Sequence, residues 1–429
     1  MAFIVNYILP FFYIALLAWL LCRDKKLAAG GLPSRFVLLF FVTKCLAGVF
    51  YSYVMLHFIP KGDDVAFLFG GGLDMYHSFL HHPIVFLGEL KQTFTLTDIG
   101  LGHTDSDFIR TVFEALKFIH FICDLFSGGN LYTNAILFNG PVVWVMLRCW
   151  VFLKNYFGSW LPGAWLFLFP SAFFYTSAIL KEGIEFALIA AILPVAYRLN
   201  KHGYFGNVLK FNILLALLFF FKFIIAITFL AALLFGMVLL KWPRHKKAIL
   251  LSASIAGLFL FFAAGHWVPA FNMPQYIIHR QQEFLAMEAN SIIPIPILEP
   301  SFISFCKAFP TAAINVLLRP LPGDGGKMLY YIYGIEIFCF WILVIYLWVK
   351  KMKNQSQSLN AFVVAFLLFA IINLLLIGYT IPNIGAITRY RSVFLPFLGL
   401  FFWQFCNGGL IFKAGIAKFK RKFPLFLPQ

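Results

Sequence analysis

The chain has 429 residues, of which 62% are hydrophobic, 19% aromatic and only 12% charged, and its mean hydropathy is +0.86. Soluble domains carry about 25% charged residues, so this composition excludes an ordinary soluble protein. Apolar runs long enough to cross a bilayer as helices recur along the chain, and they lack the two-residue alternation of barrel strands. The sequence therefore predicts an all-α, polytopic membrane helical bundle.

The net charge of +17 does not indicate a nucleic-acid-binding protein. The basic residues form short clusters between apolar runs instead of a single basic face. The seven cysteines contain no CxxC pair, so neither a zinc site nor a disulfide framework is expected. Cys123 and Cys306 both fall in loops that we place outside, but their pairing is not favoured.

The basic clusters predict the topology of the chain. The first apolar run has basic residues after it and no cleavage site, so we expect an uncleaved span with its N-terminus outside. Placing the basic clusters inside gives a single transmembrane domain, residues 1–429, with about eleven spans and the C-terminus inside. The expected spans are 2–21, 36–59, 131–150, 160–178, 184–199, two within 211–240, 248–268, 328–349, 360–381 and 392–412.

The run 211–240 is compatible with two topologies. Lys222 interrupts it, and both of its flanks are basic. Flanks of the same sign require an even number of crossings, so we expect two short spans that meet near Lys222. A single long, tilted span is the alternative, and it would invert the topology of everything that follows.

Two outer loops follow from this topology, 60–130 and a proline-rich loop, 269–327. The first holds nine acidic and four basic residues, and we expect re-entrant or interfacial helices in it. Asp63 and Asp64 lie at its start, directly after an expected span. Two adjacent carboxylates can bind Mg²⁺ or Mn²⁺, or one can act as a general base. A solvated turn after the span is the structural alternative.

His77 and His81 are four residues apart in the same loop, which places them on one face of a helix. This spacing suits a metal ion. It also suits an amphipathic interfacial helix whose apolar face includes Phe79, Leu80 and Phe86, and this second interpretation is favoured.

Lys181 and Glu182 are charged residues with no polar linker between two expected spans. Charged side chains in such a position face a cavity or each other. An interfacial hairpin with a snorkelling lysine is the equally weighted alternative.

Arg389 and Arg391 flank Tyr390 at the expected outer end of the span 360–381. Arginines on the outer face run against the positive-inside tendency, so we expect an anionic partner, and a phosphate matches the guanidinium fork. Lys222 is a second cation of this kind. Pairing with Glu182 or Glu299 is the structural alternative.

The outer face therefore combines carboxylates with phosphate-seeking cations. An enzyme that takes a group from a lipid phosphate needs both. A transporter would place ionisable residues in mid-span beside broken helices, and only Lys44 and Glu336 are candidates for that role.

This pattern resembles the C-type (GT-C) integral membrane glycosyltransferases, which use polyprenyl-phosphate sugars. Gly62-Asp63-Asp64 stands where that family has an acidic motif, early in the first large outside loop. The stretch from Pro170-Ser171 to Lys181-Glu182, and Arg389-Tyr390-Arg391 before the last span, are similar to segments of bacterial members.

The resemblance implies that Asp63 or Asp64 is the catalytic base or a metal-linked carboxylate, and that Arg389, Arg391 and Lys222 bind the donor phosphate. We expect Lys181 to join them. Glu182, Tyr390, His77 and His81 are expected to support the site.

The expected function is that of an inverting glycosyltransferase in a bacterial inner membrane, with its active site facing the periplasm. It would move one sugar from a polyprenyl-phosphate donor to a glycan or lipid acceptor, because no large soluble domain of the oligosaccharyltransferase kind follows the spans. Membrane lipids are its other partners. Two alternatives stay open: a polysaccharide polymerase or ligase that uses a polyprenyl-diphosphate glycan, and a transporter or flippase of a lipid-linked sugar.

Overall fold

The computed structural model describes residues 8–58, 64–93, 105–201, 203–268, 272–287, 291–324, 328–351, 360–406 and 408–409. This part of the chain is 85% helical and contains 19 α-helices and no strand, so the all-α prediction is confirmed. The helices group into two compact units. The first comprises Met1–Gly163 with Ala172–Ile224, and the second comprises Ala164–Ser171 with Ile225–Gln429.

In the first unit, α7 is the central helix, and it packs against α1, α3, α6 and α10. Most of its side chains from Leu131 to Leu153 are buried. The helices α4 and α6 of this unit also pack against each other. The helices of this unit are α1 (Leu9–Cys22), α2 (Lys25–Ala29), α3 (Ser34–Phe58), α4 (Asp64–His81), α5 (Pro83–Thr93), α6 (Asp105–Ser127), α7 (Leu131–Phe157), α10 (Lys181–Lys201) and α11 (Phe205–Phe221).

In the second unit, α17 is the central helix, and it packs against α14, α15, α18 and α19. Close approach to α15 is possible because Gly378 faces the backbone of Ala312. The helices of this unit are α12 (Phe223–Lys241), α13 (Lys246–Trp267), α14 (Met273–Ala286), α15 (Phe302–Leu317), α16 (Met328–Lys351), α17 (Ala361–Thr380), α18 (Ile384–Arg391) and α19 (Leu395–Phe405).

Six of the described helices are long and apolar enough to cross a membrane: α3, α7, α12, α13, α16 and α17. The protein is therefore a helical membrane protein, and these six helices coincide with six expected spans. The helices α1, α11 and α19 are apolar but shorter, and α10 carries charged residues at both ends. The total of about eleven spans and their orientation stay predictions.

The expected continuous span 160–178 is wrong as a single helix. The structure has two short helices there, α8 (Leu161–Phe167) and α9 (Pro170–Tyr175). Pro170 is the first residue of α9, and a proline disfavours helical geometry in the residue before it, here Phe169. The chain therefore leaves the helix after Phe167 and starts a new one at Pro170.

The expected interruption at Lys222 is confirmed. The helix α11 ends at Phe221 and α12 begins at Phe223, with Lys222 extended between them. Whether the chain crosses the membrane once or twice over this region stays a prediction.

Both expected outer loops contain helices. The first holds α4, α5 and α6, and the second holds α14 and α15. In the second loop, the buried Gln281 side chain organises the chain after α14: its amide donates to the carbonyls of Pro296 and Tyr379, and its oxygen accepts from the backbone of Leu298. The position of these loops relative to the membrane stays a prediction.

Candidate active site

Asp64 is the first residue of α4, and its side chain is half-buried. A carboxylate in the first turn of a helix interacts favourably with the partial positive charge of the helix N-terminus. Asp63 lies outside the described residues, so its predicted role remains a prediction.

The structure brings the acidic motif and the Lys-Glu motif of the first unit to one place. Phe67 lies one helical turn after Asp64, and its ring centroid is 6.1 Å from that of Phe113 on α6. The Lys181 ammonium lies 5.7 Å from the centroid of the same Phe113 ring. The ends of α4 and α10 therefore meet across α6, although more than a hundred residues separate Asp64 from Lys181 along the chain.

Glu182 and Glu185 are buried carboxylates in the first turns of α10, each 1% exposed. The Lys222 ammonium lies 4.0 Å from a carboxylate oxygen of Glu185. The cation predicted to bind a donor phosphate therefore has a protein carboxylate at the limit of ion-pair distance. Sequence analysis considered Glu182 as a partner but did not identify Glu185.

His77 and His81 lie on one face of α4, with ring centroids 6.4 Å apart and nearly parallel planes. Between them, Phe79 packs against Phe86 and Phe121. The helix α4 is thus amphipathic here, because Phe79 packs against α5 and α6 while the two histidines share another face. The role of these histidines in supporting the site stays a prediction.

A buried polar network connects the end of α6 to the start of α7, and sequence analysis missed it. Asn134 donates to a carboxylate oxygen of Asp124 at 2.6 Å and accepts from Ser127 at 2.5 Å. All three side chains are fully buried. The signal was Asp124 within the otherwise apolar segment 121–126 at the end of α6, which was counted only as one of the loop's acidic residues.

Burial moves two pKa values in this region in opposite directions. Burial raises the pKa of Asp124 to about 6, although hydrogen bonds from Asn134 and Ser127 and the charge of His77 lower it. Burial lowers the pKa of His120 to about 4, and an interaction with the backbone of Ile179 opposes this shift. At neutral pH the buried carboxylate is therefore ionised and the buried imidazole is neutral.

In the second unit, Arg389 lies on α18 beside Tyr390. Its guanidinium donates to the Tyr390 hydroxyl at 3.0 Å and lies 4.9 Å from the centroid of that ring. The Tyr390 ring in turn contacts Phe284 of α14 at 6.4 Å. Tyr390 therefore orients the arginine, and Arg389 is half-buried. The supporting role of Tyr390 in a site stays a prediction.

Arg391 has a different environment, because it is 2% exposed. Its guanidinium donates to the carbonyl of Val316 at 3.2 Å and also to the carbonyl of Arg319. The Val316 carbonyl belongs to the last turn of α15, where helix carbonyls have no internal donors, and Arg319 follows the end of that helix. Arg391 therefore caps α15, a role that its sequence position could not indicate.

Two further arginines of the second unit are paired with carboxylates. Arg280 contacts Glu283 at 2.6 Å, and Arg319 contacts Asp324 at 2.7 Å. Neither residue was predicted as part of a site.

Lys44 and Glu336 contact backbone groups of the interrupted stretch 161–180. In the first unit, the fully buried Lys44 donates to the carbonyl of Phe173 at 2.8 Å and to the Thr176 hydroxyl at 2.6 Å. In the second unit, Glu336 accepts from the backbone N–H of Ser171 at 2.9 Å. Both side chains therefore satisfy groups at ends of short helices.

Among the described residues, no group of three or more His, Cys, Asp or Glu side chains could hold a metal ion. The Mg²⁺ or Mn²⁺ expected at Asp63 and Asp64 stays a prediction, because Asp63 lies outside those residues. The described cysteines, Cys123 and Cys306 included, are free thiols.

The chain was compared with models of protein families, with curated proteins and with solved structures, and none of them matches it.

Proposed function

We propose that the protein is a membrane glycosyltransferase that moves a sugar from a polyprenyl-phosphate donor to a glycan or lipid acceptor. The observation that carries the proposal is that Phe67, one helical turn after Asp64 on α4, and Lys181 on α10 both lie against the Phe113 ring of α6. It brings a half-buried carboxylate and an ammonium to one end of the first unit. Such a pair suits an anionic donor and an acceptor that must lose a proton.

The proposed reaction is a single displacement at the anomeric carbon of the donor sugar. The acceptor hydroxyl attacks this carbon while its proton passes to the carboxylate of Asp64 or of the neighbouring Asp63. The bond between the anomeric carbon and the phosphate oxygen breaks at the same time. Polyprenyl phosphate leaves with the electron pair, and the configuration of the sugar is inverted.

The leaving phosphate needs cations, and Arg389 is the residue best suited among the predicted ligands. A guanidinium offers a planar fork to two phosphate oxygens, and Tyr390 orients the one on Arg389. Arg391 contributes indirectly, because its hydrogen bonds hold α18 against the end of α15. Lys222 contributes a second positive charge, which lies next to the carboxylate of Glu185. The proposal requires that Asp64 and Arg389 face the same side of the membrane, as the topology derived from the sequence predicts.

The test uses purified protein in lipid vesicles with a polyprenyl-phosphate sugar labelled in the sugar. We expect wild-type protein to release polyprenyl phosphate and to transfer the label to an acceptor. Asp64→Asn should slow transfer by about 10²–10⁴-fold as expected for a lost general base, with Asp63→Asn tested beside it. Arg389→Gln should slow it by about 10²–10³-fold, as for a lost donor to a developing anion.

Two arginine variants serve as controls. Arg198→Gln changes an exposed arginine on α10, so transfer should be unchanged. Arg391→Gln removes the cap of α15, so the thermal midpoint should fall together with activity. Full activity in both aspartate variants would overturn the base assignment, whereas loss in Arg389→Gln alone would favour a polymerase or ligase.

A transporter of a lipid-linked sugar is the second candidate, because the stretch 161–180 is a broken helix and the buried Lys44 contacts it. Discontinuous helices with charged neighbours form the binding sites of many transporters. In the vesicle experiment a transporter would move the labelled lipid between leaflets without releasing polyprenyl phosphate. The absence of bond cleavage would therefore replace the enzyme proposal with this one.

A further inference from the structure

A groove of about 610 Å³ lies between α1 and α7 in the first unit. Leu17 and Leu20 of α1 line one wall, and Gly140 and Pro141 of α7 line the other. Gly140 lets α1 approach closely, since a Cβ at this position would lie 3.1 Å from the Leu17 methyl groups. The lining is almost entirely apolar, so the groove suits a hydrocarbon chain better than water.

Two tryptophans mark the polar end of the groove. Trp19 is 50% exposed and Trp144 is 42% exposed, and both line the groove. An arginine lies over each ring: Arg23 is 4.4 Å from the centroid of Trp19, and Arg148 is 4.8 Å from that of Trp144. Exposed tryptophans in cation–π contact with arginines are typical of the membrane interface, at the level of the lipid headgroups.

The carboxylate of Asp24, which also lies at this end of the groove, already has hydrogen-bond partners within the protein. Asp24 accepts from the Trp144 indole at 2.8 Å and from Arg148 at 3.1 Å. Its second oxygen accepts from the backbone of Lys26 and Leu27. Although burial raises the pKa of Asp24, these contacts outweigh it and lower the pKa, so the carboxylate stays ionised.

The remaining charges at this end are positive. Arg23, Lys25 and Lys26 are exposed, and within the part of the chain that the structure describes none of them pairs with a carboxylate. A basic cluster at headgroup level attracts anionic lipid. The positive charge of this cluster therefore complements the negative charge of a lipid phosphate. The hydrocarbon chain of the same lipid would lie in the groove.

We propose that this groove binds one acyl chain of an anionic glycerophospholipid, with the lipid phosphate at Arg23 and Lys26. The site is not the donor site proposed above. The end of α1 lies beside the start of α3, where the Cys22 thiol donates to the Ser34 carbonyl, whereas Asp64 follows the other end of α3. A helix of 25 residues is about 37 Å long, and the topology predicted from the sequence places the groove's polar end and Asp64 at opposite membrane faces.

The experiment measures the thermal midpoint of delipidated protein in detergent after adding phosphatidylglycerol or phosphatidylcholine with identical chains. We expect phosphatidylglycerol to raise the midpoint of the wild-type protein and phosphatidylcholine to have little effect. The double variant Arg23→Gln, Lys26→Gln should bind phosphatidylglycerol about tenfold more weakly or worse, since each basic residue near a headgroup adds to the attraction. Leu20→Trp should also weaken binding, because Leu20 is half exposed in the groove.

The matched control is Arg244→Gln, Lys247→Gln, which removes two exposed cations at the start of α13 and should bind like the wild type. Equal effects of the two lipids, or equal losses in the control and test variants, would overturn the proposal. Polyprenyl phosphate is the third ligand tested. If it bound at this groove more tightly than phosphatidylglycerol, the assignment to a glycerophospholipid would be wrong. Because sugar transfer is not measured, failure here leaves the proposed enzyme activity unaffected.

Discussion

Lys44, Arg391 and Glu336 each contact a backbone group at the end of a short helix or of α15. Free carbonyls at helix C-termini attract cations, and free N–H groups at N-termini attract anions. A buried charge in this protein is therefore not by itself evidence of a ligand site. The Arg391 side chain is an example, because its guanidinium is engaged by backbone carbonyls.

The buried pair of groups on α6 predicts a specific pH dependence. The pKa of Asp124 is higher in the folded protein than in the unfolded chain, so its ionisation destabilises the folded protein increasingly as pH rises from about 4 to 6. The pKa of His120 is lower in the folded protein, so the folded protein loses stability as pH falls from about 6.5 to 4. The two contributions oppose each other in the wild type.

Single variants should separate these contributions. The free energy of unfolding of Asp124→Asn minus that of the wild type should be smaller (more destabilised) at pH 5 than at pH 7.5 by about 1 kcal/mol. That of His120→Gln should move the other way by about 2 kcal/mol. Denaturant unfolding in detergent micelles at the two pH values measures both. If the difference in unfolding free energy between each variant and the wild type did not change with pH, neither group would titrate as its burial implies.

Sequence analysis identified Arg389, Tyr390 and Arg391 together but could not distinguish their roles. The partner of Arg391 is a carbonyl at the end of α15, 75 residues earlier in the chain, and backbone groups carry no sequence signal. The polar network of Asp124, Ser127 and Asn134 was missed for a similar reason. Asp124 and Ser127 fall in the expected outer loop and Asn134 in the expected span 131–150, and they come together only when α6 and α7 pack against each other.

At the scale of elements, prolines and isolated charges decide where the apolar runs break. Hydropathy alone predicts one span over 160–178, but Pro170 starts a new helix there. The break near Lys222 was predicted because both flanks of the run 211–240 are basic, which requires an even number of crossings. The structure has both the interruption and Glu185 as the nearby carboxylate.

Close packing of α15 against α17 depends on Gly378. A Cβ there would overlap the carbonyl oxygen of Ala312, and a backbone group cannot move aside as a flexible side chain can. Gly378→Ala should therefore destabilise the protein by about 1–3 kcal/mol, as overpacking does. Its thermal midpoint in detergent should fall.

Gly257 on α13 provides the control, because a Cβ at this position would have no neighbour within 4 Å. Alanine favours a helix over glycine by up to about 1 kcal/mol, so Gly257→Ala should leave the midpoint unchanged or raise it slightly. If the two alanine variants behaved alike, the close approach of α15 and α17 would not determine stability.

At the scale of the whole molecule, composition was sufficient to predict a helical membrane protein, because nothing else accommodates so many long apolar runs. The six long apolar helices agree with that prediction. The number of crossings depends on weaker signals, such as short helices and the flanks of Lys222. The division into two compact units had no counterpart in the sequence, since no polar linker marks it.

The account depends most on the claim that a carboxylate and a phosphate-binding arginine serve one reaction at one face of the membrane. Single-cysteine variants Asp64→Cys and Arg389→Cys, made in a background without the native cysteines, test this claim with a membrane-impermeant maleimide. Lys247→Cys serves as the control for the inner face. In intact spheroplasts we expect both variants to be labelled and the control to be labelled only after permeabilisation. Labelling of the two positions from opposite sides would contradict the proposed enzyme.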